Sequence, residues 1–200
     1  MRRSVMFASL LAALVMALGA TAAVQASDDD SAPSTQASCV TSSNEGENDN
    51  QEGVDEHGTA NDDHLSGSQG NDRLEGDDGD DVLDGNHGDD DIQGGAGDDD
   101  ICGDDGNDHL DGGPGADDIS GGAGADEIDG DNGNDHLSGG SGGDVIEAGR
   151  GRDTVTAGAG NDRISTRDGQ RDRVSCGAGT DKVTADRLDI VSTNCESVKR

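Results

Sequence analysis

Apolar residues fall into two regimes along this chain. Val5 to Leu18 is an apolar run broken only by Ser9, and beyond it large apolar side chains are sparse until a strict period sets in. From Gly58 through Ser165 the chain divides without slippage into twelve nine-residue units. The eighth residue of each is a branched aliphatic: Leu65, Leu74, Leu83, Ile92, Ile101, Leu110, Ile119, Ile128, Leu137, Ile146, Val155 and Ile164. The first six residues of a unit are rich in Gly, Asn and Asp, which is turn chemistry. The last three, with the aliphatic at their centre, suit a short strand with a single inward side chain. The pattern predicts an all-β chain whose core is one residue wide.

Three further positions are constrained. The first is Gly until Ala148 and Ala157, and the fourth is Gly in every unit but the first. There Asn61 stands, the non-glycine type that best tolerates a left-handed backbone. The sixth is Asp in all twelve units: Asp63, Asp72, Asp81, Asp90, Asp99, Asp108, Asp117, Asp126, Asp135, Asp144, Asp153 and Asp162.

Units such as Gly94-Gly95-Ala96-Gly97-Asp98-Asp99-Asp100-Ile101-Cys102 follow Gly-Gly-x-Gly-x-Asp-x-aliphatic-x. This resembles the nonapeptide of the repeats-in-toxin (RTX) family, the hemolysin-type calcium-binding repeat of secreted bacterial proteins. The resemblance implies a parallel β-roll solenoid with two nonapeptides per coil and calcium between neighbouring turns. Alternate aliphatics would then stack in two rows, Leu65 to Val155 on one sheet and Leu74 to Ile164 on the other. Six coils at a strand spacing of about 4.8 Å make a body about 29 Å long. By the same resemblance the twelve position-six aspartates are metal ligands. Those of successive turns on one side, Asp72 and Asp90 for example, would share an ion with turn carbonyls, for about ten calcium ions in all.

Composition points the same way. The chain of 200 residues has a formal net charge of −32, 34 glycines and Phe7 as its only aromatic residue. One buried aliphatic per nine residues is too little to offset the entropy of ordering glycine-rich backbone. Stacked aspartates add repulsion, so the roll needs a cation whose binding energy becomes folding energy. Carboxylates and exposed carbonyls are hard oxygen donors that suit calcium; magnesium dehydrates reluctantly, and zinc or copper prefers clustered His or Cys. The histidines offer no such cluster: His57 and His87 fall in turns, and His64, His109 and His136 at outward position seven. The extra acids Asp91, Asp100 and Asp118 read as a solvated face.

The ends differ from the repeats. Arg2-Arg3, the apolar run and the small residues up to Ala26 have the layout of a secretory signal peptide at residues 1–26. A membrane anchor is disfavoured because the run is shorter than a spanning helix. Without that segment, eleven basic residues face 45 acidic ones, a net charge of −34. Such a polyanion is expected to bind neither nucleic acid nor anionic membrane. Residues 27–57 read as a disordered acidic linker. Residues 166–200 read as degenerate repeats and a C-terminal cap, with one residue inserted in 166–175 and most basic residues from Arg150 onward. The insertion puts ligation by Asp172 in doubt, and Asp181 is a plausible ligand with fewer neighbours with which to share an ion. Cys176 and Cys195 lie close together in this segment and are expected to form a disulfide, while the pairing of Cys39 and Cys102 stays open.

Gly139-Gly140-Ser141-Gly142-Gly143 matches a nucleophile pattern but sits in frame within a repeat, and no zinc-protease motif occurs. The expected function is therefore a secreted, extracellular, non-enzymatic calcium-binding protein that folds as calcium binds. The alternative is an adhesin or matrix component in which a calcium-stiffened rod binds a cell-surface or matrix partner. An acidic mineral-binding chain ranks third.

Overall fold

A computed structural model of the chain describes residues 53–200. The expected signal peptide, most of the expected linker and Cys39 lie outside the described residues. No helix occurs among the described residues; every regular element is a strand.

The strands form a parallel β-solenoid of about eight turns. One sheet stacks Asp55–Thr59, Arg73–Asp78, Asp91–Ala96, His109–Asp111, Glu127–Asp129, Val145–Glu147, Arg163–Thr166, Lys182–Ala185 and Ser197–Lys199. The facing sheet stacks His64–Ser66, Val82–Asp84, Asp100–Asp105, Asp118–Ala123, His136–Ser141, Thr154–Gly160, Arg173–Ser175 and Ile190–Val191. Consecutive strands thus alternate between sheets, because each six-residue turn carries the chain across the roll. Two units complete a coil, and partners in the repeats are eighteen residues apart, as in Leu74 with Ile92 and Ile101 with Ile119.

This register places like on like. The position-eight aliphatics form the two expected rows, each no more than 2% exposed. Position-four turns stack so closely that a Cβ on Gly106 would overlap the Gly88 carbonyl oxygen. Glycine there is a condition of the stacking distance itself.

The roll is longer at both ends than the six coils of the nonapeptide frame. Val54 and Asp55–Thr59 lie on the first rung, with Glu56 opposite Leu74, so the roll begins before His57, where the linker was expected to end. At the other end the inserted residue is absorbed in a turn. Gly169 adopts φ +87° with open space where a side chain would be, and the stacking interval becomes nineteen residues. Val155 then pairs with Val174 and Ile164 with Val183, so both apolar rows continue into the cap. Inside these last coils Ala148, Ala157, Thr166, Cys176 and Ala185 replace the position-one glycines, all fully buried. Cys176 is bonded to Cys195 as expected, and no described cysteine is a free thiol.

Candidate metal centre

The position-six aspartates form two buried ladders, one in the turns along each side of the roll. Each lies at the end of its turn, two residues before the strand residue that points inward, and so shares that residue's inward face; all twelve are 5% exposed or less. The backbone N–H of each donates to Oδ1 of the aspartate one coil further on: Asp63 to Asp81 at 2.7 Å, Asp72 to Asp90 at 2.8 Å, Asp99 to Asp117 at 2.9 Å. Asp72 and Asp90 are therefore adjacent rungs of one ladder.

The second carboxylate oxygen is where the ladder is incomplete. From Asp81 to Asp162, Oδ2 of every rung is buried without a hydrogen-bond partner. It lies against backbone: a Cβ on Gly130 would stand 2.8 Å from Asp135 Oδ2 and 2.7 Å from the Ala148 carbonyl oxygen. Burial is the main force raising these carboxyls, to about 7 for Asp90, Asp99, Asp126 and Asp135 and about 6 for Asp108 and Asp117. The amide bond accepted at Oδ1 pulls the other way, and neighbouring carboxylates add to the rise. A stack of buried, partnerless carboxylate oxygens beside backbone carbonyls calls for protons or a hard cation. The donor set, all oxygen, fits calcium.

Asp63 and Asp72 differ. Asp63 Oδ2 accepts both the amide and the hydroxyl of Thr59, at 2.6 and 2.8 Å. Asp72 Oδ2 accepts the Ser68 amide at 2.6 Å, and its Oδ1 accepts the Ser68 hydroxyl at 3.0 Å. The ladders also run past the nonapeptide frame. Asp153 and Asp162 donate to Asp172 and Asp181, and these donate in turn to Asp189 and Glu196. The insertion that placed Asp172 in doubt displaces the turn outward and leaves the rung in line.

Other expected residues fall outside this arrangement. Asp91 pairs with Arg73 at 2.8 Å on the surface. His57 lies in the first strand rather than a turn and faces Glu75 at 3.0 Å, and His87 faces Asp105 at 3.0 Å. Among the described residues no group of three or more His, Cys, Asp or Glu side chains converges on one point. Ser141 is an exposed strand residue between Ala123 and Ala159.

The model of the RTX calcium-binding nonapeptide repeat, four copies long, matches residues 57–92, 76–110, 103–137, 111–146 and 138–171. No curated protein matches the chain.

Proposed function

The chain belongs to the RTX calcium-binding nonapeptide repeat family, and on that premise we propose that it is a secreted calcium-binding protein that folds as calcium binds. The observation that carries this reading is the run of buried, partnerless Oδ2 atoms along both turn ladders, inside the residues the family model matches. The position-six aspartates whose Oδ2 is unpartnered, from Asp81 to Asp162, and the turn carbonyls beside them hold the ions. Bound calcium supplies positive charge between rungs that otherwise repel. The aspartates fix the spacing of successive coils through their Oδ1–amide bonds, and the aliphatic rows exclude water from the space between the sheets.

Extracellular modules bind calcium at about 10⁻⁴–10⁻³ M. A chain tuned to that range stays unfolded inside a cell and folds once exported, which suits passage through a secretion channel. Far-UV circular dichroism during a calcium titration tests this directly. We expect β signal to rise with calcium and not with magnesium, and native mass spectrometry to count about ten ions per chain. An unchanged spectrum up to several millimolar calcium refutes the proposal.

A further inference from the structure

We infer that the calcium-holding ladder is displaced toward the C-terminus relative to the nonapeptide frame: Asp172 and Asp181 hold calcium, whereas Asp63 and Asp72 do not. This rests on the proposed function and assigns its sites. Asp172 and Asp181 lie beyond the residues the family model matches, yet both are fully buried with Oδ2 unpartnered, and their Oδ1 atoms accept the amides of Asp153 and Asp162 at 3.0 Å. They reproduce the environment of the rungs from Asp81 to Asp162.

Asp63 and Asp72 share the motif position but not the vacancy in hydrogen bonding, and the cause lies at position two of their turns. Elsewhere in the repeats that position takes a left-handed backbone, as at Gly95 (φ +114°) and Asp104 (φ +68°). The Gly95 amide then bonds the Gly112 carbonyl, away from the carboxylate. Thr59 and Ser68 are absent from the left-handed set, and β-branched or hydroxylated residues disfavour that conformation. Both amides and the Thr59 hydroxyl turn onto Oδ2 instead and occupy the oxygen an ion would need, while the Ser68 hydroxyl bonds Oδ1. The other end closes in the same way. Asp189 Oδ2 accepts the buried Thr166 hydroxyl at 3.0 Å and the Asp186 amide, so the ladder through Asp172 ends on hydrogen bonds rather than on an ion.

The test counts calcium per full-length, disulfide-intact chain by native mass spectrometry at saturating calcium, with magnesium as control. Asn keeps the accepting oxygen of each rung and replaces the other with a donor. Asp172→Asn/Asp181→Asn is expected to lose about two ions, and Asp63→Asn/Asp72→Asn to lose none. A full count in the first pair, or a reduced count in the second, overturns the assignment. If the first pair gains no β signal in calcium, its two single variants are counted in the same way; the second pair decides independently. A wild-type chain that takes up no calcium removes function and assignment together, whereas wild-type uptake with the two pairs reversed removes only the assignment.

Discussion

Gly142 and Gly143 are neighbours in one turn, and opposite outcomes are expected when each is replaced. At position five of the repeats, Asn and Asp side chains accept the amide of the same position one coil on, as Asn134 does from Arg152 at 3.1 Å and Asn161 from Thr180 at 3.0 Å. Gly143 has no side chain to reach the Asn161 amide, and a Cβ there would meet only the Asn161 carbonyl oxygen, at 3.7 Å. Gly143→Asn therefore adds a surface hydrogen bond and removes a glycine from a backbone any residue adopts. Together these stabilise by about 1 kcal/mol. Gly142 has φ +145°, and a Cβ there would run into the Gly124 carbonyl oxygen of the coil below. That overlap is with backbone fixed by the stacking, so Gly142→Ala costs about 3 kcal/mol or more. Thermal unfolding in saturating calcium, followed at a β-sheet wavelength, reads both. For a body of this size Gly143→Asn raises Tm by about 2–4 °C, and Gly142→Ala lowers it by several times that. A tolerated Gly142→Ala, or a destabilising Gly143→Asn, refutes the stacking argument.

The remaining expectations concern charge, core and cap. Burial raises Asp90, Asp99, Asp108, Asp117, Asp126 and Asp135 of the ladders to about 6–7, so the calcium-free roll binds protons more tightly than the unfolded chain does. Its stability is then greatest below about pH 4 and is lost as pH rises through about 6 to 7; circular dichroism in chelator should show β signal gained on acidification, and a flat profile contradicts it. Ile119 is fully buried between Ile101 and Leu137, so Ile119→Ala should cost about 2–5 kcal/mol in calcium-saturated denaturant unfolding; a loss below about 1 kcal/mol would mean that the row is not the core. Reducing the Cys176–Cys195 bridge, which closes a span of nineteen residues, should cost about 3 kcal/mol in the same assay; unchanged unfolding would show that the cap does not depend on it.

The repeats were legible in the sequence because each position has one structural job. The period of the aliphatics marked one inward residue per unit, the family resemblance with its two nonapeptides per coil implied both rows, and the position-six aspartates fell on both ladders. The ends were less legible because there the jobs separate from the period. Glu56 and Val54 lie on the first rung without any glycine frame to announce them. Asp172 stays on its rung because an insertion at Gly169 points into open space, something spacing alone cannot distinguish from a broken repeat. The engaged state of Asp63 and Asp72 did leave a signal: Thr59 and Ser68 stand where later units carry Gly, Asp or Asn.

The uneven distribution of basic residues acquires a meaning once the chain is a rod. Residues 53–149 contain Arg73 as their only Arg or Lys, whereas residues 150–200 hold ten basic against eight acidic groups. The coils stack in chain order, so this asymmetry lies along the axis and makes the molecule an electric dipole, negative at its N-terminal body and nearly neutral at its cap. Calcium taken up along the body shrinks that moment without rebuilding the cap. The moment that remains in the calcium-saturated roll sets how the rod orients in a field or beside a charged surface, and transient electric birefringence in saturating calcium would read it as a permanent dipole along the axis.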